Sequence, residues 1–204
     1  MVTEGRSRPV TADPVGLHER AADNLRYIRE TMERATAFTA VSGWGLVIVG
    51  LTAIATAAIS SRASGLRPFV VIWGTEAVLA CLIAVGSMAW KARRTGTPVL
   101  SGPGRKFVLS FLPAIVAGVV LTVAMFRGGT ASMLPGVWLL LYGSGVVAAG
   151  AFSVSTIPLM GACFMTLGAV ACLLHDVGMV RALGVGFGIL HVIFGLVIAR
   201  KHGG

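Results

Sequence analysis

The stretch Gly128–Leu174, GGTASMLPGVWLLLYGSGVVAAGAFSVSTIPLMGACFMTLGAVACLL, runs 47 residues without one charged side chain. A helix needs about 20 apolar residues to cross a bilayer, so this length holds two crossings and a turn. The turn falls at Phe152-Ser-Val-Ser-Thr-Ile-Pro158, where Pro158 suits a first helical turn and the Ser/Thr residues before it suit caps. Two adjacent crossings with no charge between them predict an all-α, polytopic membrane protein.

Outward from this stretch the same pattern repeats. Charges bracket apolar runs from Arg34 to Arg62, from Pro68 to Trp90 with Glu76 inside, from Phe107 to Phe126, and from Ala182 to Ala199. Six transmembrane helices are predicted, roughly 37–60, 68–90, 106–126, 133–152, 156–175 and 181–199. The domain organisation that follows is a disordered tail at 1–12, a cytoplasmic amphipathic helix at 13–36, a six-helix transmembrane domain at 37–200 and a short cytoplasmic tail at 201–204.

Composition agrees. Of the 204 residues 55% are apolar and 12% charged, with a mean hydropathy of +0.85. A soluble domain carries about 25% charged residues, so this chain cannot cover an ordinary water-facing surface. The net charge of +9 arises from 17 Lys+Arg against 8 Asp+Glu. Residues 1–36 hold six of each sign, which leaves the whole excess in the apolar part and argues against nucleic acid as a partner. Placing both termini in the cytoplasm puts thirteen Lys/Arg on that side and four (Arg62, Arg67, Arg127, Arg181) on the other. The positive-inside rule favours that orientation. The first apolar run starts behind a charged helix-forming segment and has no obvious cleavage site, so it is expected to be a span and not a signal peptide. No lipidation motif is expected to act at either end.

In the N-terminal segment, Asp13-Pro14 reads as an N-cap and first helical residue. Leu17, Ala21, Leu25, Ile28, Met32 and Ala35 follow at three- and four-residue steps and form one apolar stripe. Arg26 with Glu30, Glu30 with Arg34, and Arg29 with Glu33 are spaced to pair along the helix. The stripe is a candidate contact for a partner or a second copy. Docking beneath the chain's own bundle and lying on the inner leaflet are the other two placements, the last weakened by the balanced charge of the polar face.

The run His18-Glu-Arg-Ala-Ala-Asp-Asn-Leu-Arg-Tyr-Ile-Arg-Glu-Thr-Met-Glu-Arg-Ala35, continued by Phe38-Thr-Ala-Val-Ser-Gly-Trp-Gly45, resembles the start of a family of uncharacterised bacterial multi-spanning membrane proteins. LPGVWLLLYG at Leu134–Gly143, with the AFSV and PLMG that follow, resembles the same family. The resemblance covers most of the chain after residue 17. It implies a bacterial inner-membrane location and carries over no activity and no catalytic residue.

Ionisable groups inside a membrane are costly, so each is a candidate site. Glu76 in the second span and His191 in the sixth qualify. At 1.5 Å per residue they lie about 12 and 15 Å from the same side, and they are a candidate intramembrane polar pair. Gly184, Gly188 and Gly195 around His191 predict that it faces the bundle; Ala80 and Ser87 do the same, more weakly, for Glu76. Such a pair would serve as a proton relay or substrate path, or as a plain interhelical hydrogen bond. His175-Asp176 reads as a loop pair. Cys81, Cys163 and Cys172 read as small packing residues inside spans. With no HExxH, P-loop, GxGxxG or GxSxG pattern, no catalytic set, cofactor or metal is expected.

Gly43 and Gly50 share a spacing of seven with Gly136 and Gly143, either as a trace of an inverted three-helix repeat or by chance between Gly-rich apolar segments. Pro113 suits either a kink or a first-turn position. The function expected from all this is a non-enzymatic membrane module that anchors, senses or regulates through a partner. The alternative is a small proton-coupled transporter or permease using Glu76 and His191, and an intramembrane enzyme comes third.

Overall fold

The computed structural model describes the backbone of residues 14–35, 38, 40–96, 102–174 and 178–202, and their side chains except those of 14–19, 30, 33–35 and 202. The expected tail at 1–12 and the His175-Asp176 pair lie outside the described residues, as do the side chains of Leu17 and Ala35, of Glu30 and Glu33 in the pairs with Arg26 and Arg29, and of both Glu30 and Arg34. Every element described is helical, apart from a single bridge between Phe38 and Ser153.

Helix α1, Pro14–Ala35, belongs to a unit of its own, 1–36. Of its stripe, Ala21, Leu25, Ile28 and Met32 are exposed.

Among the described residues the second unit holds six helices long and apolar enough to cross a membrane. They are α2 (Gly43–Ser60), α3 (Leu66–Thr95), α4 (Gly102–Arg127), α5 (Leu134–Gly150, led in by a 3₁₀ turn Ala131–Met133), α6 (Thr156–Leu173), and a last span. That last span is composite: α7 (Met179–Leu183), a π-helical stretch Gly184–Leu190, and α8 (His191–His202). The chain is thus a multi-pass, all-α membrane bundle.

Three boundaries correct the sequence reading. The first span starts at Gly43 and not near 37, because the residues before it make other bonds. Phe38 N–H donates to the Phe152 carbonyl at 2.7 Å, the Ser153 hydroxyl donates to the Phe38 carbonyl at 2.6 Å, and Ser42 caps α2 by accepting from Gly45 N–H at 3.1 Å. Ser153 therefore ties the entry segment to the α5–α6 turn, and Ser155, the N-cap residue of α6, makes no side-chain cap bond. Helix α3 runs on through Lys91, Arg93 and Arg94, straight-chain residues that favour a helix and complement its negative end, and stops at Gly96, whose φ of 66° is left-handed. The last helix likewise continues to His202, past the expected end at 199. Pro113 sits in the interior of a continuous α4, which removes the first-turn alternative.

Glycine decides which helices touch closely. Helices α2 and α8 run antiparallel with Gly43 against Gly195 and Gly50 against Gly188: a Cβ on Gly50 would lie 2.7 Å from the Gly188 carbonyl oxygen, and one on Gly195 2.8 Å from that of Gly43. Helices α5 and α6 repeat this solution, with Gly136 against Gly168 and Gly143 against Gly161. Helices associate in lipid through close packing, not by hiding apolar surface from water, so small residues on facing stripes bring the two backbones together. A spacing of seven keeps such a stripe on one face of a left-handed pair.

The two seams use non-equivalent partners. If spans one to three were repeated as spans four to six, the α2–α8 seam would correspond to α5 against α4. Instead the spaced glycines of α5 face α6. Helix α4 meets another face of α5, where Trp138 covers Gly118 and donates to the Thr122 hydroxyl at 2.9 Å and Phe111 lies over Gly145. The shared spacing records one packing device used twice, and the repeat reading is dropped. Cys172 packs on Gly136, as a small side chain does, whereas Cys81 is exposed.

Candidate functional site

His191 opens α8 where the π-helical turns end, and it is 2% exposed. Its Nε2 lies 2.8 Å from the Tyr142 hydroxyl. Around this pair four spans converge. Phe111 of α4 meets Tyr142 edge-on with ring centres 5.5 Å apart, Phe164 of α6 lies 4.8 Å from Tyr142 and 5.2 Å from His191, and Phe187 of the π turns stacks on His191 at 20°. Edge and offset contacts of this kind suit the ring quadrupoles. Glycine makes the room, since a Cβ on Gly186 would strike Leu139. The other ring nitrogen, Nδ1, is buried with no hydrogen-bond partner among the described residues.

Glu76 sits about a third of the way along α3 and is 5% exposed. Its two carboxyl oxygens lie 2.8 Å from Thr52 Oγ1 and 3.0 Å from Thr56 Oγ1, both on α2. Ser87, on the same face of α3, packs on Gly45 of α2.

Both candidates are therefore buried in helix contacts, but they do not form a pair. On α2, Gly50 and Ile54 face Gly188, whereas Thr52 and Thr56 face Glu76. Two residues along a helix turn by about 200°, so these are opposite faces of a cylinder about 10 Å across. Helix α2 stands between Glu76 and the last span. His191 turns further away, toward α5 and α6. Depth along the membrane was readable from the sequence; azimuth around the helix was not.

A third polar point is new. Lys91, one of the thirteen basic residues on the expected cytoplasmic side, is 6% exposed and donates to the Val41 carbonyl at 3.1 Å. Together with the bond that Phe38 N–H donates to Phe152, the bond that the Phe38 carbonyl accepts from Ser153, and the ring of Phe107 5.0 Å from that of Phe38, Lys91 holds the entry segment across one end of the bundle. Nothing in its spacing separates Lys91 from exposed Arg93 and Arg94. Tyr142 did carry a signal. Of two tyrosines in the chain it is the one inside a span, away from the membrane interface where tyrosine is usually enriched. Thr52 and Thr56, one turn apart in an apolar helix, carried a similar one.

Among the described residues no group of three or more His, Cys, Asp and Glu is placed to hold a metal ion. The chain matches no family model, no curated protein and no solved structure. The family likeness of the N-terminal run and LPGVWLLLYG rests on those residues alone.

Proposed function

We propose that this chain is a non-enzymatic module of the bacterial inner membrane, with both termini cytoplasmic, that anchors α1 and presents it to a partner or a second copy. The observation that carries this reading is the exposed stripe Ala21, Leu25, Ile28 and Met32 on a helix that forms a unit separate from the bundle. The polar groups inside the spans support it from the other side. Glu76 bonds Thr residues of α2, His191 bonds Tyr142 and Lys91 bonds Val41, so each joins two elements of the bundle. A proton relay from Glu76 to His191 is not supported, because α2 intervenes. The orientation rests on the Lys/Arg asymmetry.

The test uses the full chain with Leu25→Asp and Ile28→Asp, isolated in mild detergent. Two charges on the stripe are expected to remove the higher-mass species seen by native mass measurement, whether a homo-oligomer or a complex with another protein, while the thermal midpoint of the bundle stays as in the unaltered chain. An assembly state identical with and without the charges overturns the proposal.

A further inference from the structure

Three oxygen-to-oxygen contacts meet at the α2–α3 seam. Glu76 Oε1 lies 2.8 Å from Thr52 Oγ1, Glu76 Oε2 lies 3.0 Å from Thr56 Oγ1, and Thr52 Oγ1 lies 2.9 Å from the carbonyl oxygen of Val49. Each contact needs one hydrogen. A threonine hydroxyl brings one, a carbonyl none, and an ionised carboxylate only accepts. Two hydroxyl hydrogens serve three such contacts only if Thr52 divides its single hydrogen between the Val49 carbonyl and Glu76. With Glu76 protonated the count closes: Glu76 donates through Oε1 to Thr52, Thr52 turns its own hydrogen to the Val49 carbonyl, and Thr56 donates to Oε2.

The surroundings favour the same state. Helix α2 contains no titratable residue. On α3 the nearest are exposed Cys81, more than a turn away, and Arg67, about 13 Å along the axis. No cation therefore stands ready to neutralise a carboxylate inside the span, where an unpaired charge is costly. The oxygens touch one another directly, which leaves no gap between them for a metal ion. The seam is also shallow. Gly74, Thr75 and Ala77 beside Glu76 are exposed on the surface that faces lipid, and a Cβ on Gly74 would meet nothing within 4 Å.

We infer that Glu76 is a proton-binding site inside the membrane, a neutral carboxylic acid shared with Thr52 and Thr56 that fastens α3 to α2 while the proton is held. Loss of the proton leaves one contact without a hydrogen of its own and puts a negative charge into the seam, so ionisation loosens α3. The site is independent of any partner of α1.

A hydrophobic carbodiimide tests this on the full chain in detergent or lipid vesicles. The reagent adds to protonated carboxyl groups from the lipid side: the acid's proton goes to a carbodiimide nitrogen, the carboxyl oxygen bonds the central carbon, and the adduct rearranges to a stable N-acylurea found by peptide mass. Dicyclohexylcarbodiimide is expected to label Glu76 severalfold faster under mildly acidic than mildly alkaline conditions, with no protection by sodium ions. A water-soluble carbodiimide should mark acids of residues 1–36 and spare Glu76. Equal rates at both pH values, protection by sodium, or no adduct in the folded chain where one forms after denaturation would each overturn the inference. Glu76→Gln gives a second readout. Its amide donates to Thr52 and accepts from Thr56, so this variant should keep its thermal midpoint at alkaline pH, where the unaltered chain's midpoint falls. A Gln variant as unstable as Glu76→Ala also defeats the proposal.

Discussion

Replacing Gly161 by valine is expected to prevent the α5–α6 pair from forming. A Cβ at this position would lie 2.7 Å from the Gly143 carbonyl oxygen and 2.7 Å from the Val147 amide nitrogen, both backbone atoms of α5. A side chain in the way swings aside at small cost; a backbone moves only if its helix moves. Separating the two helices would also open Gly143 and Gly168, whose own contacts across the seam are as close. Overpacking a well-filled interior costs about 1–3 kcal/mol and occasionally more. A branched residue set against backbone belongs at the upper end, about 3 kcal/mol. Gly86→Ala is the control, because a Cβ there meets nothing within 4 Å, and substitutions of that kind stay within about 0.5 kcal/mol of neutral. The check is the yield of monodisperse protein and its thermal midpoint in detergent. A Gly161→Val chain as stable as the Gly86→Ala control would refute the seam.

The second large effect is expected at His191. Alanine there empties a ring-sized space where four spans converge and leaves the Tyr142 hydroxyl without its 2.8 Å partner. Emptying the space of a buried aromatic ring costs about 3–5 kcal/mol, here through the cavity and the lost ring contacts. Tyr142→Phe removes only the hydroxyl and should cost about 1 kcal/mol. Combining the two changes isolates their bond. Interhelical hydrogen bonds in membrane proteins couple by about 0.6 kcal/mol on average and up to about 1.7. A coupling in that range, read from thermal or denaturant unfolding of the two single variants and the double one, confirms that the hydroxyl and imidazole act together. Strict additivity would show that His191 matters only for the volume it fills.

Much of this architecture was legible beforehand. The charge-free run Gly128–Leu174 announced two crossings, and the chain turns at 151–155, inside the Ser/Thr-rich stretch before Pro158. Within the helix expected at 13–36, Pro14–Ala35 is described as α1, and the residues that flank it lie outside the described ones. His191 and Glu76 were identifiable as buried polar groups from residue type and neighbouring small residues. Their partners were not. Thr52, Thr56 and Tyr142 stand out as polar residues inside apolar helices, but only the rotation of each helix about its axis decides which of them meets an ionisable group. Lys91 shows the converse, since the next charged residues, Arg93 and Arg94, are exposed while Lys91 turns inward to Val41.

By itself the sequence determined that the chain crosses a membrane, how many times, and where each crossing lies to within a few residues. That information is local, because the free energy of placing a helix in lipid is a sum over about 20 neighbouring residues and needs no knowledge of the rest. Tertiary structure decided which spans touch. It set α2 against α8 and α5 against α6, placed α2 between Glu76 and His191, and drew Phe38 to the α5–α6 turn. Once every span is in lipid, hydrophobicity no longer distinguishes one neighbour from another. The choice passes to short-range fit and to single hydrogen bonds, which depend on two surfaces at once.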